Sequence, residues 1–403
     1  MKRILFVDDE APLLEGLRNA LRRRRKEWDL HFALGGEAGL AALREGAFDI
    51  VVSDLRMPGV DGVAVLRRAR EERPGAIRIV LSGHAEMDLL MRALPVAHQY
   101  LSKPIETARL QGVLERACHM RDLMQDEGLC SVVGGADSLP PLPRVYTVLT
   151  RMLADPKVSL RDVSQVVEQD VAISAKLLHL ANSGLFGAGQ RLMNVQAAVK
   201  YLGTSIITSL VLSAEVFQLF QDAPHTRRST LERIHQHALV TAKLAAQILP
   251  HRESIEDVYA AGVLHDIGYL LLAARGHEVR SPYEGPTQPV AEPEGPTHAE
   301  VGGYLLGMWG LPVEVVEAVT GHHRPLAQLN GRGAIHLADL LLHDPPAMEG
   351  EMGTLEALGL ARHVQRWRAL AGELLDCREP PGGGGSDGDD GNRSTPAHAL
   401  RRR

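Results

Sequence analysis

The chain has 403 residues, enough for two or three domains with cores of their own. A formal charge of −6 and a sequence pI near 6.3 argue against a dedicated nucleic-acid surface, and no apolar run is expected to span a membrane. Cys118, Cys130 and Cys377 are widely spaced without a CxxC pair, so free thiols in a reducing compartment are expected; the first residues already read as a strand with no leader pattern, which predicts a cytoplasmic protein.

In chain order, the apolar run Ile4-Leu5-Phe6-Val7 ends in Asp8-Asp9-Glu10. A helix is predicted over 11–25, with Arg22-Arg23-Arg24-Arg25-Lys26 as its solvated end. A strand over 49–53 runs into Asp54, a helix is predicted over 62–72, and a strand over 77–81 ends in Ser82. Tyr100-Leu101-Ser102 leads into Lys103-Pro104. Short apolar strands alternating with helices imply an α/β, doubly wound parallel sheet. The carboxyl ends of such strands line one crevice, where Asp8, Asp9, Asp54, Ser82 and Lys103 can meet.

A carboxylate can attack phosphorus to form an acyl phosphate, but a cation must offset the charge repulsion. Asp8, Asp9 and Asp54 supply the hard oxygen ligands that Mg²⁺ takes. Ser82 can hydrogen-bond one phosphoryl oxygen and Lys103 can pair with another. Taken singly, Asp8-Asp9 and Asp61-Gly62 are ordinary turn residues and Lys103 a solvated charge. With 7 lysines against 37 arginines, however, a lysine where a compact point charge is needed is less readily compositional.

Apolar positions Leu110, Leu114, Ala117, Met120 and Met124 predict a helix over 105–124, packing on its own sheet or pairing with a second copy as a homodimer. After Gly134-Gly135 and the entry Leu139-Pro140-Pro141-Leu142-Pro143 the pattern becomes all-α. Helices are predicted near 144–154, 159–167, 171–182, 195–218, 228–249, 254–274, 298–308, 312–321 and 333–343. A Pro/Gly-rich loop between Gly276 and Pro296 reads as an insertion, and the tail from Glu379 cannot bury a core. His237, His265-Asp266, His298, His322-His323 and Asp339 form a series suited to a transition metal held in a helical bundle. With 18 histidines in the chain, structural histidines are the alternative.

The motifs around Asp8, Asp54, Ser82, Tyr100 and Lys103 resemble the receiver domain of two-component response regulators, over residues 1–124 with an extended last helix. The resemblance implies a five-stranded sheet, Asp54 as phosphoacceptor, and Asp8 and Asp9 joining it on Mg²⁺. It also implies Ser82 as switch hydroxyl, Tyr100 as rotating aromatic, Lys103 as phosphate sensor, Pro104 after a cis bond, and a sensor histidine kinase as partner. The family usually has Gly-Ala shortly before the aromatic, where this chain has Leu94-Pro95-Val96-Ala97-His98-Gln99.

Residues 131–345 resemble the HDOD domain, a relative of the metal-dependent HD phosphohydrolases. The carrying motifs are Leu139-Pro140-Pro141-Leu142-Pro143, Leu177-Leu178-His179-Leu180-Ala181-Asn182-Ser183, Ala197-Ala198-Val199-Lys200-Tyr201-Leu202-Gly203, Leu264-His265-Asp266-Ile267-Gly268, His298-Ala299-Glu300-Val301-Gly302 and Trp309-Gly310-Leu311-Pro312. The implied ligands of a divalent transition metal are His237, His265, Asp266, His298, His322, His323 and Asp339. HD-GYP phosphodiesterases carry a lysine where this chain has Tyr269, and their Gly-Tyr-Pro is replaced after His322-His323 by Arg324-Pro325-Leu326-Ala327, which disfavours cyclic di-GMP cleavage. Gln169-Asp170-Val171-Ala172 lacks the proline often found after that aspartate.

The expected function is a phosphorylation-controlled response regulator whose HDOD domain, 131–345, meets an unknown protein partner. A metal-dependent HD-type phosphohydrolase regulated by the receiver is the alternative. A helical extension is expected over 346–378 and a disordered tail over 379–403. No recognition-helix pattern flanked by basic residues is found, so direct DNA binding is not expected.

Overall fold

The computed structural model describes residues 1–82, 89, 92–93, 95–123, 139–140, 143–182, 192–220, 228–249, 255–277, 295–343 and 345–376. Leu94, Met124, Cys130, Cys377, the Gly134-Gly135 linker, most of the loop between Gly276 and Pro296 and the tail from Glu379 lie outside the described residues, as do the side chains of Ser82 and His179.

The first half is a parallel sheet in the order β2-β1-β3-β4-β5. Its elements are β1 (Lys2–Asp8), α1 (Ala11–Ala20), β2 (Trp28–Leu34), α2 (Gly36–Glu45), β3 (Ile50–Asp54), α3 (Gly62–Glu72), β4 (Ile77–Ser82), β5 (Gln99–Ser102) and α4 (Thr107–Leu123). Ile4, Leu5, Phe6 and Val7 are buried on both faces, as their unbroken apolar run requires of an inner parallel strand. The edge strand β2 is half-buried and mixes Asp29 and His31 with apolar residues, so its sequence carries no such run; Phe32 nevertheless stacks on Phe6, centroids 5.2 Å apart. The predicted helix 11–25 stops at Ala20. A 3₁₀ turn over Arg22–Arg24 follows, and Arg24 bonds Glu27 and Glu115, so the middle of the basic cluster is pinned.

The second half is helical: α5 (Arg144–Leu153), α6 (Leu160–Glu168), α7 (Val171–Asn182), α8 (Val195–Leu202), α9 (Thr204–Leu219), α10 (Arg228–Ile248), α11 (Ile255–Leu264), α12 (Ile267–Ala274), α13 (His298–Met308), α14 (Val313–Thr320), α15 (Gly331–His343), α16 (Pro345–Gly350), α17 (Met352–Ala357) and α18 (Val364–Asp376). Two predicted helices are broken. Gly203, at φ 84°, separates α8 from α9, and His265-Asp266 separates α11 from α12. Capping boxes Ser159–Asp162 and Thr297–Glu300 start α6 and α13, the second fixing His298 as the first helical residue. Asp257–Ala274 does reach the length and mean hydropathy, 1.2, of a membrane span, contrary to the expectation from sequence; 83% of it is buried inside the protein, as a core segment would be.

The halves share one apolar core. Leu110, Leu114, Ala117 and Met120 of α4 are buried between their own sheet and α13. Gln99 donates through Nε2 to the Gly307 carbonyl at 3.1 Å, a hydrogen bond from one half to the other. The described part of the stripe, Leu110 to Met120, thus follows the reading in which it packs within the chain, and homodimerisation through these residues would require them to leave this packing.

Candidate functional site: an acidic pocket and a histidine centre

Asp8 ends β1 and Asp54 ends β3, neighbouring parallel strands, so the register delivers both carboxylates to one edge of the sheet. Both are buried, whereas Asp9 is exposed. Lys103, from the turn after β5, places Nζ 2.8 Å from Asp8 Oδ2 and 2.7 Å from Asp54 Oδ1. Burial works against the ammonium charge, but the hydrogen bonds that Lys103 donates to Asp54 and Asp8 outweigh it and raise the Lys103 pKa above the ordinary lysine value. Asp8 Oδ1 accepts from Glu10 N at 2.9 Å and Asp54 Oδ2 from Arg56 N at 3.1 Å, which fixes both carboxylates. Ligand oxygens of Asp8, Asp9 and Asp54 lie within 4.8 Å of one another, close enough for one cation. The Lys103-Pro104 bond is cis, as expected.

Gly62 is needed beside this pocket: a Cβ there would lie 1.9 Å from the Asp54 carbonyl, so only glycine lets α3 start so close. Ser82 ends β4 opposite Ser102, with its hydroxyl outside the described atoms. The departure before Tyr100 has a local anchor. Buried Arg78 of β4 donates to the carbonyls of Val96, Pro74 and Ala76, and its backbone N bonds His98 Nδ1 at 3.1 Å. This holds the substituted segment in place and delivers Gln99 to Gly307.

In the helical half, His237 comes from α10, His265 and Asp266 from the α11–α12 break, His298 from the start of α13, His322 and His323 from the turn after α14, and Asp339 from α15. The structure brings all seven together. His237 Nε2 lies 3.1 Å from His265 Nε2 and 3.2 Å from Asp339 Oδ1. His298 Nε2 lies 3.3 Å from His322 Nε2 and 3.1 Å from His323 Nε2. Asp266 joins the groups, with Oδ2 3.4 Å from His265 Nε2 and Oδ1 3.4 Å from His298 Nε2. Gly268 permits this: its Cβ would lie 1.9 Å from the His298 carbonyl, so α12 and α13 could not otherwise approach.

The donor set fits a metal. His265 Nδ1 sits 2.8 Å from the Gly262 carbonyl and His322 Nδ1 2.6 Å from the Val319 carbonyl. A carbonyl can only accept, so each Nδ1 carries a proton, and each ring turns its Nε2 into the site. Burial favours the neutral ring at two of these positions, pushing His237 down to about 3 and His322 well below the ordinary histidine value. Burial alone would raise Asp266, but His265 and then His298 hold its carboxyl well below the usual range. Ionised carboxylates buried among imidazole nitrogens call for a compensating cation.

His343 was not singled out from sequence. It lies four residues after Asp339, one helical turn on, with Nδ1 3.1 Å from Asp339 Oδ1, and it forms a ligand-spaced group with His237 and Asp339. That spacing was the available signal. Thr241 Oγ1, 2.9 Å from His237 Nε2, was likewise unforeseen. Tyr269 stacks on His298, centroids 3.9 Å apart and nearly parallel, so an aromatic face stands where the phosphodiesterases have a cation.

Comparison with known proteins finds the response regulator receiver domain over residues 4–115 and the HDOD domain over residues 139–325. An uncharacterized protein of Treponema pallidum (strain Nichols) is 27% identical over 204 residues, 48% of this chain and 39% of its own length. The transcriptional regulatory protein TrcR of Mycobacterium tuberculosis is 32% identical over 123 residues, 29% of this chain and 47% of its own. The chain thus spans less than half the length of either. The solved signal receiver domain of an HD domain-containing protein from Pseudomonas fluorescens Pf-5 is 29% identical and covers 30% of this chain and 98% of its own, with a TM-score of 0.29.

Proposed function

The chain joins a response regulator receiver domain to an HDOD domain, and from that premise we propose that Asp54 accepts a phosphoryl group from a sensor histidine kinase and thereby alters how the HDOD domain meets a protein partner. The observation that carries this is the Lys103 ammonium bridging Asp8 and Asp54, a preformed cationic contact at the nucleophile. Asp8, Asp9 and Asp54 would hold Mg²⁺, which when bound offsets the charge of the incoming phosphoryl group. An Asp54 carboxylate oxygen would form the new bond to phosphorus as the P–N bond to the kinase's phosphorylated histidine breaks, the imidazole nitrogen leaving with the electron pair. Lys103 then exchanges a carboxylate partner for a phosphoryl oxygen, with Ser82 taking another and Tyr100 following. Gln99, adjacent to Tyr100, contacts α13 directly, so the signal has a short route to the helix that begins at His298.

The division we favour is a receiver over 1–124, the HDOD domain over 131–345 and a helical extension over 346–378, in a cytoplasmic protein that does not read DNA. His237, His265, Asp266, His298, His322, His323 and Asp339, with His343 added, would hold a divalent transition metal that ties five helical elements together. The converging Nε2 lone pairs also favour a second reading, a metal-dependent phosphohydrolase. The Tyr269 face against His298 supports the binding role over it, because it leaves a substrate phosphate without that cation.

Incubation with a small phosphodonor and Mg²⁺ tests the leading reading. One alkali-labile phosphoryl group per chain is expected, and none on Asp54→Ala. Full labelling of that variant would reject Asp54 as acceptor. Robust metal-dependent cyclic dinucleotide turnover, lost in Asp266→Ala, would make the enzyme reading the better one.

A further inference from the structure

A cleft of about 340 Å³ opens between the two halves, bordered by β5 and α4 on one side and by α5 and the Trp309–Pro312 turn on the other. Three arginines line it: Arg109 and Arg116 from α4 and Arg151 from α5. Among the described residues that line it, none is acidic. Two of its bordering groups lack what their chemistry demands, since Arg116 Nε and Tyr100 Oη are buried without a hydrogen-bond partner. Burial lowers the Arg116 pKa; Glu314 and Glu115 act in the opposite direction and the Arg109 charge adds to the lowering, so the nearby carboxylates leave this cation undercompensated. Like charges gathered in a partly desolvated cleft repel each other unless an anion lies between them. Planar guanidinium forks match phosphate oxygens, and the Tyr100 and Tyr146 rings with Val113 and Leu311 offer an apolar wall beside them. A volume of this size, at the low end of ligand pockets, suits a small molecule better than a peptide.

We propose that this interdomain cleft binds a small phosphorylated molecule of the nucleotide class, its phosphate held by Arg109, Arg116 and Arg151 and its ring against Tyr100 and Tyr146. The site is separate from the Asp54 pocket and the histidine centre, and it goes beyond the phosphorylation reading without depending on it. Contacts from both halves mean that the ligand would stabilise their docked arrangement.

Calorimetric titration of the full chain with adenosine monophosphate or adenosine triphosphate tests this, at fixed ionic strength and after chelation so that no metal-bound phosphate contributes. Saturable binding is expected for at least one of the two, with adenosine much weaker. Arg116→Gln and Arg151→Gln should each weaken it about tenfold or more, the size expected for losing a hydrogen bond to a charged group. Arg109 is exposed, so Arg109→Gln provides a variant whose folding is not at issue, and His265→Ala should leave the affinity unchanged. The proposal is overturned if neither nucleotide saturates, if adenosine binds as tightly, or if affinity survives all three arginine variants.

Discussion

Lys103 serves two roles that a substitution separates. It neutralises Asp8 and Asp54, but in the proposed transfer phosphorus would be attacked by a carboxylate oxygen, which Lys103 does not supply. Lys103→Ala should therefore still label with a small phosphodonor while losing most of the phosphorylation-induced change in hydrogen exchange around Gly307. An exchange response equal to that of the parent chain would remove Lys103 as the sensor. His265 poses the parallel question in the other half. Metal that binds only the folded state stabilises it by about 2.7 kcal/mol at a hundred times its dissociation constant. His265→Ala should remove a stabilisation of that order from metal-loaded protein and much less after chelation, as read by thermal unfolding of both forms. An equal loss in the two forms would mark His265 as a packing residue.

At the scale of elements, glycine sets how closely the helices can meet. Gly268→Ala would put a methyl carbon 1.9 Å from the His298 carbonyl, backbone against backbone, which no rotamer can relieve. We expect a stability loss of about 1–3 kcal/mol, typical of an overpacked core, together with reduced metal content because α13 carries His298; unchanged melting and metal content would show that α12 and α13 move apart freely. The inner strands were legible because two-sided burial leaves an unbroken apolar run before each functional group. The edge strand β2 was not, since Asp29, His31 and the apolar residues between them follow a surface that is only half covered. The breaks at Gly203 and at His265-Asp266 escaped notice for the opposite reason. Apolar residues continue across both, and only the three-dimensional demand for a left-handed residue or for inward-facing ligands interrupts the helix. The seven candidate ligand residues could be read individually, whereas their convergence, and the place of His343 among them, depend on how α10, α13 and α15 pack.

Across the whole molecule, the joint between the halves was the least legible feature, because the covered face of α4 looks the same in sequence whether α13 or a second copy covers it. That joint and the core depend on groups that must stay uncharged. Burial pushes His235 down to about 3 and His98 well below its ordinary value, with Arg78 and then Arg70 adding to the effect on His98. In the unfolded chain both would titrate near the ordinary histidine value of about 6.5. The unfolded state therefore binds more protons than the folded state once the pH drops below that value, so stability rises with pH across this window and is lost as pH falls from about 6.5 towards 3. Each such histidine contributes a slope of up to about 1.4 kcal/mol per pH unit. Asp266 and Asp339, whose carboxyls are held low, add a loss of the same sign only below the ordinary aspartate range. Denaturant unfolding of chelated protein from about pH 7 to about pH 5 should show this decline, and His235→Gln, which cannot take up the proton, should flatten it. A stability independent of pH over that interval would mean that these histidines reach solvent and carry charge in the folded protein.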